Sequence, residues 1–132
     1  MDDEQVRKLI LEGKPTASFC EKLGKCYYEK QEYQKALEYY LEGLKDKNLK
    51  SVLTYHITLE EGIADCYFNM EQYKQAVKYM NIALASVMLT GINKEQHEAM
   101  KIKLNQMKAK LIEVKKKTNQ NSSLKRNRKV DF

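Results

Sequence analysis

The stretch Cys20-x-x-Leu23-Gly24-x-x-Tyr27-Tyr28, followed by Tyr33-x-x-Ala36-x-x-x-Tyr40-x-x-Gly43-Leu44, returns further along the chain. The second copy reads Ile63-Ala64-x-x-Tyr67-Phe68, then Tyr73-x-x-Ala76-x-x-x-Met80-x-x-Ala83-Leu84. One offset of 40 residues, from Leu23 to Ile63 and from Leu44 to Leu84, superimposes both without a gap, so this is an internal repeat. Each copy has the spacing of two helices joined by a tight turn. Gly24 or Ala64, Ala36 or Ala76, and Gly43 or Ala83 stand where antiparallel helices must approach closely, with aromatics filling the spaces beside them. A helix pair alone leaves an apolar face open, so the copies are expected to stack.

These residues resemble the tetratricopeptide repeat (TPR), whose signature is W-x2-L-G-x2-Y, then A-x3-F, with a closing proline. The first copy matches at Leu23, Gly24, Tyr27, Ala36 and Tyr40, with Cys20 in the Trp position. The second has Ile63-Ala64 for Leu-Gly and Glu60 in the Trp position, while Asn48 and Met88 replace the prolines. The 40-residue spacing is similar to that of long-repeat branches such as the Leu-Gly-Asn repeat, kinesin light chain and tonsoku-like proteins. The resemblance covers most of residues 17–90. It implies an all-α fold, a short α-solenoid of antiparallel helix hairpins with N- and C-terminal capping helices.

Composition agrees with a helical chain: 132 residues with one proline, five glycines and no tryptophan. No apolar run approaches the roughly 20 residues of a membrane span, and the acidic start Asp2-Asp3-Glu4 is unlike a targeting peptide. A soluble, intracellular protein, cytoplasmic or nuclear, is expected. Three cysteines without C-x-x-C spacing fall on helical positions; Cys26 and Cys66 are equivalent in the repeat and read as buried small hydrophobes. The seven basic residues from Lys115 onward exceed the single acid there, Asp131, by six, which is the whole net charge. Residues 1–114 are therefore neutral, and the basicity belongs to a tail.

In chain order, residues 1–15 read as an N-terminal capping helix, with Val6, Leu9 and Ile10 on one face and Gly13 and Pro15 as the stop. Repeat 1 takes residues 16–48. Its first helix starts at a Ser18–Glu21 capping box or at Thr16, and its second runs to about residue 47. Repeat 2 takes residues 49–91, with a lengthened first helix over about 50–69 and a second over about 73–89, closed by Gly91. A C-terminal capping helix, residues 92–117, starts at Asn93 with Gln96 as box partner. It places His97, Met100, Leu104, Met107, Leu111 and Val114 on one seam, which suits packing on repeat 2 or a self-pairing coiled coil. Residues 118–132 lack periodicity and read as a disordered basic tail.

No catalytic constellation emerges. His56 and His97 stand alone, and there is no H-E-x-x-H, phosphate-cradling glycine loop or G-x-S-x-G. A non-enzymatic protein without cofactor or metal is expected. By resemblance, the inner face of each repeat's first helix lines a groove for peptides. The matching positions are Ser18, Glu21, Lys25, Tyr28 and Glu29, then Thr58, Glu61, Asp65, Phe68 and Asn69. Glu21, Glu29, Glu61 and Asp65 against Lys25 alone make this groove acidic, so the expected partner is a basic, amphipathic protein or peptide segment. Tyr28 and Phe68 form its floor, unless they only pack between repeats.

Lys125, Arg126, Arg128 and Lys129 fit a short nuclear-import pattern, and equally a solvated tail or one that binds phosphates without sequence preference. No specific nucleic acid and no membrane are expected as partners. Two alternatives to the peptide groove stay open. One is a structural assembly piece that stacks on itself, as a homodimer, or on another subunit; the other is a nuclear scaffold of the tonsoku-like kind.

Overall fold

The computed structural model describes residues 4, 5, 8, 12, 16–46, 49–90 and 93–130, except the side chains of 49–54 and 120–130. The fold is all-α. Five helices are bounded among the described residues: α1 (Ala17–Glu29), α2 (Tyr33–Gly43), α3 (Leu49–Asn69), α4 (Tyr73–Thr90) and α5 (Lys94–Val130). Each packs on its neighbours in sequence, and α1 also packs on α3. The expected N-terminal cap lies largely outside the described residues, as does Gly91.

Local chemistry sets the helix ends. Thr16 caps α1, its Oγ1 accepting from the Phe19 amide at 3.2 Å, so the helix starts there and not at a Ser18 box. The Ala17 amide, another donor orphaned at that terminus, bonds Asp46 Oδ2 at 2.7 Å. This contact has a consequence at the far end of the hairpin. Helix α2 stops at Gly43, short of the expected residue 47, and the chain turns so that Asp46 meets α1. At α5, Asn93 Oδ1 accepts from the Glu95 amide at 3.1 Å.

The two hairpin turns are copies of each other. Gln31 has φ 61° and Glu71 has φ 62°, both in the left-handed region. Glu32 N donates to Tyr27 O at 2.9 Å and Gln31 N to Tyr28 O at 2.9 Å. In the second copy Gln72 N donates to Tyr67 O at 2.8 Å and Glu71 N to Phe68 O at 3.1 Å. This is the Schellman closure that usually places glycine at the left-handed position. Ring pairs repeat at the same offset. Tyr27 stacks on Tyr39 with centroids 5.2 Å apart, and Tyr67 on Tyr79 at 5.7 Å. Tyr28 meets Tyr33 edge-on at 5.3 Å, and Phe68 meets Tyr73 at 5.4 Å.

The small residues are all buried, and the glycines show why. A Cβ on Gly24 would lie 2.6 Å from Cδ1 of the Tyr40 ring, and one on Gly43 would lie 2.9 Å from the Cys20 Cβ. Gly62 of α3 faces the same ring from the other side, where a Cβ would lie 2.8 Å from Tyr40 Cε2. Tyr40 thus joins α1 to α3. Around it one core cluster gathers Ala17, Tyr27, Leu37, Leu59, Ile63 and Cys66. A second joins Ile57, Ala76, Met80, Val87, Met100, Leu104 and Met107.

Three expectations need correction. Cys66 is buried, its thiol pushed up to about 12 by burial and then by Asp65, and Cys20 likewise to about 11 by burial, Glu42 and Asp46. Cys26, however, is exposed. Helices α1 and α2 cover the Cys66 side of α3, and among the described residues no earlier hairpin stands before α1. On the last helix, Met100, Leu104 and Met107 are buried, but Val114 is 41% exposed and Ile112 is 53% exposed. With 18 residues α4 is about 27 Å long and α5 with 37 about 56 Å, so α5 outruns the helix it packs on. The helix also continues to Val130 where a disordered stretch was expected; no glycine or proline in residues 118–130 interrupts it.

Because side chains at φ near +60° carry a steric cost that glycine lacks, Gln31→Gly and Glu71→Gly should each stabilise the fold by about 0.5–1 kcal/mol. Urea unfolding measures this. A lowered midpoint for both variants would contradict the turn geometry.

Candidate functional site

Helices α1, α3 and α5 each turn a face toward one pocket of about 230 Å³, lined by Tyr28, Asp65, Phe68, Asn69, Lys103, Gln106 and Met107. Tyr28 is the α1 contribution, and five of the others follow from which faces α3 and α5 bury. On α3, Ile63, Ala64 and Cys66 are fully buried, which leaves Asp65, Phe68 and Asn69 at the rim of that face. On α5 the buried Leu104 and Met107 carry Lys103 and Gln106 beside them.

A polar link closes one wall. Asn69 Nδ2 donates to Tyr28 Oη at 2.9 Å and to the Asp65 carbonyl at 2.8 Å, tying the last turn of α3 to α1. Both amide hydrogens are used, which leaves the oxygen as the side chain's remaining hydrogen-bonding group. Burial, and then the Asp65 charge, hold the Tyr28 hydroxyl above the ordinary phenol range, with the Asn69 hydrogen bond working against them.

Lys103 dominates the electrostatics. Its Nζ lies 2.8 Å from Glu61 Oε1 and 3.1 Å from Asp65 Oδ2, one ammonium bridging two carboxylates on successive turns of α3. Burial works against the ammonium, but hydrogen bonds and attraction from Glu61 and Asp65 raise its pKa above the usual lysine value. At Asp65, burial outweighs the attraction of Lys103, and the carboxyl sits above its ordinary range. The expectation of Glu61 and Asp65 as open acids, with Lys25 the only base, is therefore corrected: α5 supplies a second cation at that point.

Of the residues named from the sequence, Tyr28, Asp65, Phe68 and Asn69 come together in the pocket, and Glu61 adjoins it through Lys103. Ser18, Glu21, Lys25, Glu29 and Thr58 are not among its lining residues; Lys25, Glu29 and Thr58 are exposed, and Ser18 and Glu21 half-buried. Lys103, Gln106 and Met107 were missed as site residues. The seam through Leu104 and Met107 was the available signal, since Lys103 and Gln106 flank it. The side chains of Lys125, Arg126, Arg128 and Lys129 lie outside the described residues.

Glu60 is buried at 8% exposure, and its Oε2 accepts from Ser86 Oγ at 3.1 Å. His56 and His97 each have a buried Nε2 without a hydrogen-bond partner. Among the described residues no group of three or more His, Cys, Asp or Glu side chains is placed to hold a metal, and no helix is long and apolar enough to cross a membrane. Compared with known proteins, the chain matches no family model, no curated protein and no solved structure.

Burial raises the Glu60 carboxyl above its ordinary 4.5, against the opposing effects of Ser86 and His56. A raised folded pKa favours the folded state below the ordinary value, and this contribution disappears as pH rises through the folded pKa. Glu60→Gln keeps an acceptor for Ser86 and removes the buried charge. It should raise the urea midpoint at pH 7, and the gap should narrow as pH falls toward 4.5. A lower midpoint at pH 7 would show that the ionised carboxylate stabilises the fold.

Proposed function

We propose that this chain is a short TPR-like α-solenoid that works as a non-enzymatic protein-interaction module, holding a peptide segment of a partner along the face where α1, α3 and α5 alternate. The pocket carries this reading: it is built from every second helix, as the groove of a stacked-hairpin array requires. Matching turns and ring pairs 40 residues apart support the array. Phe68 and Met107 supply an apolar anchor site, with Tyr28, Asn69 and Gln106 as polar edges, the mixture typical of binding pockets. Glu21, Glu29, Glu61 and Asp65 still outnumber Lys25 and Lys103, so a basic, amphipathic segment remains the favoured partner, steered less strongly than open acids would allow.

A second reading has its own support. Leu89 is 86% exposed and Met88 is 66% exposed at the end of α4, and Ile102 is 58% exposed on α5, as expected of an assembly piece that stacks on another copy. Sedimentation velocity over a range of concentrations separates the two, since a groove binder stays monomeric.

Selection of an unbiased peptide library on the immobilised protein should yield basic peptides with apolar anchors. Phe68→Ala should weaken the best of them by about tenfold or more in protein that circular dichroism shows to be folded. Selected peptides that bind Phe68→Ala as tightly as the parent would place the binding face elsewhere.

A further inference from the structure

We infer that the pocket between α1, α3 and α5 takes the guanidinium group of an arginine side chain in the partner, a specificity that rests on the peptide-groove reading above. Size is the first argument. About 230 Å³ lies below the roughly 300–1,000 Å³ of small-molecule sites, and suits one long side chain.

Charge is the second. Lys103 is the single cation set against Glu61 and Asp65, so one negative charge of the three groups is unbalanced, and it sits at a wall of the pocket. Lys103 bonds one oxygen of each carboxylate, Oδ2 of Asp65 and Oε1 of Glu61. A second cation entering the pocket meets a carboxylate that its resident partner does not fully offset.

Shape is the third. Tyr28 and Phe68 offer ring surfaces, on which a planar, weakly hydrated guanidinium stacks better than a compact ammonium. Several acceptors line the pocket for a fork of donors: the Asp65 carboxylate, the Asn69 amide oxygen left over when both its hydrogens are engaged, and the Gln106 amide. A lysine of the partner would compete with Lys103 at the same oxygens; an arginine reaches several acceptors at once.

The test is an amide NMR titration of the full 132-residue chain with N-acetyl-arginine amide. Saturable shifts are expected at the Asn69 and Gln106 side-chain amides and along residues 65–69, and none with N-acetyl-citrulline amide, which has nearly the same shape and no charge. Asp65→Asn should abolish the response. Lys103→Gln removes the resident competitor and should tighten arginine binding about fivefold, an effect opposite to that of a merely structural lysine. An equal response to citrulline amide, or weaker binding by a folded Lys103→Gln, overturns the assignment. If the arginine probe leaves these signals unmoved while library-selected peptides shift them, the arginine assignment fails and the groove stands. If neither moves them, both fail.

Discussion

The phenol ring of Tyr40 fills a slot whose two walls are glycines on different helices, Gly24 of α1 and Gly62 of α3. A methyl group at either wall would enter the ring's own volume, so the two helices are held at a separation that only this combination permits. The rest of the binding face depends on that separation. Tyr28 stands one turn beyond Gly24 and Asn69 two turns beyond Gly62, and it is because α1 and α3 lie this close that Asn69 reaches Tyr28 Oη. Burial drives the Tyr40 hydroxyl well above the phenol range, as befits a ring committed to packing.

The second hairpin solves the same problem with different residues. Met80 takes the Tyr40 position and is fully buried in one cluster with Ala64, Met100 and Leu104, an unbranched thioether in place of a ring. In consequence α5 packs on α4 through methionines and leucine, and Lys103 is carried to Glu61 and Asp65. Packing and electrostatics are thus coupled in one element. The helix that closes the second core cluster also sets the charge of the pocket.

Much of this was legible in the sequence, because a 40-residue offset copies everything local to a hairpin. The positions of α3 and α4, the six small residues and the aromatic pair Tyr28 and Phe68 all follow from it. Features that arise between copies did not follow. Gly62 has Lys22 as its counterpart, an exposed residue, because among the described residues only the second copy has a preceding hairpin, whose Tyr40 must be accommodated. Cys26 was misread for the same reason. The partnership of Lys103 with Glu61 and Asp65 depends on the register of α5 against α3, which no periodicity within either helix encodes. The run of α5 past residue 117 was hidden too, since a polar stretch without breakers reads alike as helix or coil.

The central claim, that one aromatic ring sets the spacing of α1 and α3 and so builds the face between them, is tested most directly by nuclear Overhauser contacts from the Tyr40 ring. In the native protein its Hδ and Hε protons should show strong cross-peaks to the Hα protons of both Gly24 and Gly62, with those Hα resonances displaced by the ring current. Cross-peaks to one glycine only, or to neither, would mean that the helices do not share the ring and that the pocket is not built as described.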